Sequence, residues 1–94
     1  MKRRICILLI GDQIDMLKFS HYYLSTIDYN VLNAKTSLQG IKLARELLPH
    51  LIIIDEMMAD MSGIETCREI RKIPDLFETK IIFLSEDGED QNQI

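Results

Sequence analysis

The stretch LIIIDEMMADMSGIE, Leu51–Glu65, decides the fold of this chain. Its first four residues are apolar, and they run without alternation into a single carboxylate, Asp55. An uninterrupted apolar run of this kind is typical of a parallel strand that is buried on both faces. The loop that follows ends at Ser62, which can cap a helix while Glu65 reaches back to the Ser62 N–H. Asp55 is therefore predicted to end a buried strand, at the sheet edge where open α/β folds bind ligands.

Apolar runs and amphipathic segments alternate along the rest of the chain. The further strand segments are Ile5–Ile10, Tyr29–Lys35 and Ile81–Leu84. Helical spacing predicts helices over 14–27, over 37–48 with a cap at Thr36 or Ser37 and a stop at Pro49, and over 63–71. In the second helix, Leu38, Ile41, Ala44, Leu47 and Leu48 form one apolar stripe, and in the third, Ile64, Cys67 and Ile70 are predicted to face inward. The alternation β-α-β-α-β-α-β predicts right-handed crossovers and a parallel sheet covered on both faces.

Length and charge bound the functional class. The chain has 94 residues, enough for one domain, and its formal net charge of −4 argues against a direct nucleic-acid partner. Its apolar runs are too short to span a membrane. Cys6 and Cys67 fall in a predicted strand and a predicted helix without metal-ligand spacing, which indicates reduced, buried thiols in a cytoplasmic protein.

Polar residues end three of the predicted strands. Asp12, Asp55 and Ser85 follow the apolar runs, so the parallel arrangement brings them to the same edge of the sheet. Two carboxylates there can bind a hard divalent cation such as Mg²⁺, and a hydroxyl can hydrogen-bond an anion. This chemistry suits phosphoryl transfer onto a carboxylate, with a strand-end aspartate as the nucleophile. Taken alone, Asp55 would more often be an aspartate that merely starts a turn.

At these segments the chain resembles the receiver domains of two-component response regulators. The resemblance lies in ILLIGDQID (Ile7–Asp15), in LIIIDEMMADMSGIE and in IIFLS (Ile81–Ser85), whose order and spacing match across essentially the whole chain. The pattern Asp-x-x-Met-x-x-Met-x-Gly from Asp55 to Gly63 is its most specific part. The resemblance implies a doubly wound, flavodoxin-like α/β fold over residues 1–94, with the strands in the order 2-1-3-4.

The resemblance also implies roles for individual residues. Asp55 is implied to be the phosphoacceptor, which a histidine kinase or a phosphotransfer protein phosphorylates. Asp12, Asp55 and the backbone carbonyl of Met57 are implied to coordinate Mg²⁺, and Ser85 to be the switch hydroxyl that turns toward the phosphoryl group. The chain is then a phosphorelay signalling switch rather than a metabolic enzyme, one that can catalyse its own phosphoryl transfer and dephosphorylation.

Several positions depart from the family pattern. Gly11 stands where receiver domains usually carry a second acid, and Glu86 follows Ser85 where a small residue is usual. Ala59 replaces the usual proline of the loop. The family's fifth strand, with its phosphate-binding lysine, and its fifth helix would lie beyond Ile94, so the domain is predicted to be incomplete at its C-terminal end.

Two alternative functions stay open. The departures favour a receiver-like interaction module that is not phosphorylated. The aspartate pair would also suit an unrelated small α/β phosphoester hydrolase.

A strand at Ile81–Leu84 with no neighbour would leave an apolar open edge, and the first predicted helix carries a second apolar row. We therefore expect the separate chain to self-associate through that edge or that helix face, or else to be ordered only as part of a longer protein.

Overall fold

A sheet with four parallel strands forms the centre of the molecule. The computed structural model describes residues 5–12, 29–56, 58–84 and 90–91. The strands are β1 (Ile5–Ile10), β2 (Tyr29–Ala34), β3 (Leu51–Asp55), β4 (Lys80–Leu84) and β5 (Asp90–Gln91). Their order is β2-β1-β3-β4-β5, and all pairs are parallel except the antiparallel pair of β4 and β5. The predicted parallel order 2-1-3-4 is confirmed, whereas the predicted helix over 14–27 lies outside the described residues.

The two central strands are buried on both faces, as their unbroken apolar sequences predict. Successive side chains of a strand point to opposite faces of the sheet. Strands β1 and β3 therefore both contribute residues to two hydrophobic clusters, one on each face. The larger cluster lies on the face that carries the described helices, and it includes Leu8, Ile10, Ile52 and Ile54, each with 0% of its surface exposed. The opposite face carries the smaller cluster, of Ile7, Leu9 and Ile53.

The first described helix, α1 (Ser37–Leu47), packs against the sheet through small residues. Thr36 caps it, because its Oγ1 accepts a hydrogen bond from the Gln39 N–H at 3.1 Å. The helix ends at Leu48, whose φ of 49° is left-handed, and Pro49 follows. Its buried residues are Ser37, Gly40 and Ala44. The predicted stripe is confirmed only in part, because Ala44 is buried and Ile41 packs against the larger cluster, whereas its leucines, such as Leu38 at 65%, are exposed.

Close contact between Gly40 and β1 explains why α1 uses small residues. A Cβ added at Gly40 would lie 2.5–2.9 Å from three side-chain carbons of Ile10, which is fully buried. Real Cβ atoms do not approach other atoms so closely, so the whole Ile10 side chain would have to move. Glycine therefore sets the distance between α1 and the sheet.

Gly40→Ala is expected to destabilise the protein although alanine is the better helix former. Alanine gains about 1 kcal/mol of helix propensity, but overpacking of a filled core typically costs about 1–3 kcal/mol. We expect the free energy of unfolding to fall by about 1–2 kcal/mol as the net result. Urea denaturation measures this change. The control is Lys42→Ala on the exposed side of α1, and a Gly40→Ala variant as stable as this control would contradict the prediction.

The second described helix, α2 (Gly63–Arg71), begins at the predicted cap. Ser62 Oγ accepts a hydrogen bond from the Glu65 N–H at 3.1 Å, which confirms Ser62 as the cap. The Glu65 carboxylate accepts from the Ser62 hydroxyl at 3.1 Å, rather than from the predicted backbone N–H. Cys67 and Ile70 face the core as predicted, but Ile64 is 44% exposed, and Thr66 is buried instead.

A short 3₁₀ turn (Pro74–Leu76) leads from α2 toward β4. Both cysteines of the chain are free. Cys67 is buried and Cys6 is half-buried. Burial raises the pKa of each thiol, because the charged thiolate loses hydration.

The helices that the structure describes are too short or too polar to cross a membrane.

Strand β5 was not predicted, and it covers part of the edge of β4. It pairs Gln91 with Phe83 and Asp90 with Leu84. No strand lies beside the outer edge of Lys80–Ile82 within the described residues. Such an edge presents unpaired N–H and C=O groups that can bind another strand. Strand β5 shortens the open edge of β4 but leaves part of it available for association.

We expect the separate chain to associate weakly through this edge. Sedimentation velocity at low and high micromolar concentration measures the effect, and the expected result is a sedimentation coefficient that rises with concentration. Ile82→Lys places a charge on β4, a device that natural edge strands use to prevent pairing, and it should reduce the association. A wild-type chain that stays monomeric at high micromolar concentration would contradict this prediction and show that the β4 edge is protected within the single chain.

Candidate functional site

The register of the central strands brings the two predicted aspartates to one edge of the sheet. Ile10 of β1 pairs with Ile54 of β3, so Asp12 and Asp55 both follow these paired positions at the carboxyl ends of neighbouring strands. Asp55 is 6% exposed, whereas Asp12 is exposed. One carboxylate thus lies within the edge of the sheet and the other at its surface.

Asn33, on β2, supports the segment that leads to Asp12. Its Nδ2 lies 3.1 Å from Leu9 O and 3.4 Å from Gly11 O, and it can donate to both. The Gly11 N–H donates to Ala34 O at 2.9 Å, so Gly11 continues the pairing of β1 with β2. Asn33 lies on β2, an edge strand of the sheet, and its contacts with β1 and Gly11 were not predicted from the sequence.

Two further predicted site residues, Met57 and Ser85, lie outside the described residues. The backbone before Ser85 is well defined, because Leu84 of β4 pairs with Asp55, and Glu56 N donates to Leu84 O at 3.0 Å. The last described residue of β4 is thus directly beside the predicted phosphoacceptor.

The start of α2 approaches the end of β3 closely at Gly63. A Cβ added there would lie 3.3 Å from Asp55 O and 3.2 Å from Phe83 Cδ1. The Gly63 N–H also donates to Glu56 O at 3.4 Å. A larger residue would push α2 away, so Gly63 helps to fix both ends of the β3–α2 loop (residues 56–62) beside Asp55.

The middle of the β3–α2 loop is attached to the start of α1 through Asp60. Its Oδ1 accepts a hydrogen bond from the Ser37 N–H and its Oδ2 one from the Leu38 N–H, each at 3.1 Å. These two N–H groups lie in the first turn of α1, where a helix has no internal acceptor for them. Together with the Thr36 cap on Gln39 N, three donors of this turn are satisfied by oxygen atoms of side chains.

A buried pair of hydroxyl groups lies beneath this contact. Ser37 and Thr66 are both 0% exposed, and their hydroxyl oxygens are 2.9 Å apart. Ser37 Oγ donates to Met61 O at 3.3 Å, and Thr66 Oγ1 also lies 2.8 Å from Ser62 O. This pair joins α1, α2 and the end of the β3–α2 loop.

The hydrogen bonds to Asp60 also set its protonation. The Ser37 N–H, with smaller contributions from the Leu38 N–H and the Ser37 hydroxyl, holds the pKa of Asp60 below its ordinary value of 3.8. A lowered folded-state pKa means that the ionised carboxylate favours the folded state. This contribution is present above the ordinary pKa and is lost as the pH falls through the lowered one.

The donor set at the carboxyl edge fits a magnesium ion. Mg²⁺ is usually bound by one or two carboxylates and keeps several waters, and Asp12 and Asp55 provide two. Among the residues that the structure describes, no three acidic, histidine or cysteine side chains converge on one metal position. Gly11, which is buried next to Asp12, stands where the resemblance to receiver domains would place a further acid.

Comparison with known proteins identifies the class of this fold and then the family. The structure of the chemotaxis response regulator CheY4 of Vibrio cholerae superimposes with a TM-score of 0.82 over 87% of this chain and 68% of that chain, at 23% identity. The sequence profile of the response regulator receiver domain matches residues 7–94. This chain therefore belongs to the response regulator receiver domain family.

Two curated relatives show the contexts in which similar segments occur. An uncharacterised transcriptional regulatory protein, YrkP of Bacillus subtilis, is 40% identical over 76 residues, which are 78% of this chain and 32% of that protein. Histidine kinase P4 of Formosa agariphila is 37% identical over 71 residues, which are 76% of this chain and 5% of the kinase. The chain thus spans about a third of the regulator and a small part of the kinase.

Proposed function

We propose that this receiver domain accepts a phosphoryl group on Asp55, with Mg²⁺, from a histidine kinase or a phosphotransfer protein. The observation that carries the proposal is the position of Asp55. It ends the central strand β3, is 6% exposed, and has the carboxyl end of β1 with Asp12 on one side and Leu84 of β4 on the other. Family membership and the kinase relative, which contains a similar segment, support the partner class.

The chemistry is a transfer of the phosphoryl group between two nucleophiles. One oxygen of the Asp55 carboxylate attacks phosphorus, a P–O bond forms, and the bond to the donor's leaving group breaks with its electron pair leaving on that group. Asp12, Asp55 and the Met57 carbonyl would hold the magnesium ion, which supplies positive charge next to the phosphoryl oxygens. Ser85, which follows Leu84, is proposed to hydrogen-bond the phosphoryl group and so report the phosphorylated state.

Labelling with a small phosphodonor tests the proposal. The chain is incubated with acetyl phosphate and Mg²⁺, and intact-mass spectrometry should show the gain of one phosphoryl group. Hydroxylamine, which cleaves acyl phosphates, should remove it, and EDTA should prevent its formation. A chain that never gains the group under these conditions would overturn the proposal.

The second candidate function is a receiver-like interaction module that is not phosphorylated. Gly11 favours it, because the described part of the carboxyl edge offers two carboxylates for a metal ion where the family usually has three. In that case the same labelling experiment gives no product even at high Mg²⁺ concentration.

Gly11→Asp is expected to strengthen Mg²⁺ binding. An added carboxylate near the ion contributes favourable Coulomb energy, and even after screening we expect the Kd to fall roughly tenfold. Isothermal titration calorimetry with Mg²⁺ measures this, and Gly11→Asn is the matched control, since it has nearly the same shape without the charge. Equal affinity of the two variants would show that charge at position 11 does not reach the metal site.

A further inference from the structure

The β3–α2 loop is attached to the sheet at one end and to α2 at the other. Glu56 N donates to Leu84 O at one end, and Ser62 caps α2 at the other. Between them the loop contains no proline, which would have limited its φ angles. The position of its middle therefore depends more strongly on contacts with other elements.

Hydrogen bonds join Asp60 and Met61 of this loop to the first turn of α1, while Met58 packs against the larger hydrophobic cluster. Both oxygens of the Asp60 carboxylate accept from Ser37 and Leu38 N–H groups at 3.1 Å, and Met61 O accepts from Ser37 Oγ at 3.3 Å. The carboxylate bonds involve a charged acceptor, which makes them the stronger ones. Asp60 is thus the principal link between the loop and the helix.

Helix α1 in turn is seated on the strand that leads to Asp12. Gly40 lies one turn after Ser37, and its close contact with Ile10 seats α1 directly on β1. Ile10 is separated from Asp12 by a single residue, Gly11. The link through Asp60 therefore positions the loop that follows Asp55 relative to the strand end that carries Asp12.

We propose that Asp60 is a positioning residue, whose carboxylate fixes the β3–α2 loop against α1 and so keeps the carboxyl edge around Asp55 preorganised for phosphoryl transfer. The inference rests on the proposed phosphoacceptor function of Asp55. Asp60 is exposed and follows Asp55 by five residues, and its role is to restrain the backbone rather than to touch the phosphoryl group.

Two variants test the proposal in the full chain. Asp60→Ala removes both acceptors, whereas Asp60→Asn keeps one carbonyl oxygen for one of the two N–H groups. Because displacement of reacting groups by about an ångström can slow a reaction by up to a hundredfold, we expect the maximal labelling rate with acetyl phosphate to fall roughly tenfold in Asp60→Ala and less in Asp60→Asn. Glu46→Ala, which removes one negative charge at an exposed position of α1, should react like the wild type.

Two further measurements separate positioning from a loss of folded protein. Rates are expressed per folded molecule, with the folded fraction taken from thermal melts, and the Asp60→Asn variant carries the test if Asp60→Ala does not fold. Amide hydrogen exchange at Ser37 and Leu38 should be faster in both Asp60 variants than in Glu46→Ala. The maximal rate should change more than the acetyl phosphate concentration at half-maximal rate.

The outcomes are distinguishable from those of the proposed function. A wild-type chain that takes no label on Asp55 overturns both proposals. A wild-type chain that is labelled, together with Asp60 variants that react at the same rate per folded molecule, overturns the positioning role alone. Unchanged hydrogen exchange at Ser37 and Leu38 in Asp60→Ala also overturns it, because the proposed link would then not exist in solution.

Discussion

Asp55→Asn is expected to abolish phosphoryl incorporation from acetyl phosphate. Asparagine has nearly the same shape as aspartate, so it should fit at the end of β3, where Asp55 is 6% exposed. Its neutral amide, however, lacks the anionic oxygen that attacks phosphorus. Intact-mass spectrometry should therefore show no added phosphoryl group in the variant under conditions that label the wild type completely.

The control for this substitution is Asp75→Asn. Asp75 is an exposed acid of the 3₁₀ turn at Pro74–Leu76, and its replacement makes the same chemical change away from the carboxyl edge. It should be labelled at the wild-type rate. Label that persists in Asp55→Asn would assign the acceptor role to another residue, and peptide mapping would then locate it.

Ile52→Ala is expected to remove a large part of the stability of the fold. Ile52 is 0% exposed in β3, and it pairs with Leu8 of β1 and Ile81 of β4, which are also 0% exposed. Truncation of a buried isoleucine to alanine typically costs about 2–5 kcal/mol, because it removes apolar contact and leaves a cavity. The total stability of a small domain is about 5–15 kcal/mol, so the variant should be partly unfolded at 37 °C.

Chemical denaturation at 25 °C measures this loss as a fall in the midpoint concentration of urea. The matched control is Ile64→Ala on α2, where the side chain is 44% exposed, and the same substitution should change the free energy of unfolding by at most about 0.5 kcal/mol. If both variants lost the same stability, the core would not be centred on β3 as the structure indicates.

The parallel sheet and its buried strands could be predicted because they depend on local pattern, whereas the strand order came from the resemblance to receiver domains. Unbroken apolar runs identify strands covered on both faces, and the alternation with helical segments leaves few ways to connect them. Asp12 and Asp55 were placed at one edge by the same argument. This follows from the direction of parallel strands and does not require any side-chain position.

Errors arose where packing distance decides which side of a helix is buried. Spacing predicted Leu38 on the apolar stripe of α1 and Ile64 on the inner side of α2, but both are exposed. The contact between Gly40 and Ile10 brings α1 so near the sheet that small side chains face it, and at the start of α2 Gly63 has the same effect. Hydrophobic spacing carries no information about this distance.

Strand β5 was missed for a related reason. Asp90–Gln91 is polar and only two residues long, and its pairing with Phe83 and Leu84 comes from the neighbouring edge of β4 rather than from strand propensity. A pattern of two residues is too short to indicate a strand.

The sequence by itself determined the parallel α/β fold and the position of the aspartate pair, since both follow from periodicity and from residues at strand ends, and its resemblance to receiver domains implied the strand order. Only the tertiary structure decided what holds that edge in place. Asp60 binds the start of α1 across 23 and 22 residues of sequence, and Asn33 reaches Leu9 O across 24. Such contacts leave no local pattern, because an exposed aspartate in a loop looks the same in sequence whether or not a helix start lies within reach of its carboxylate.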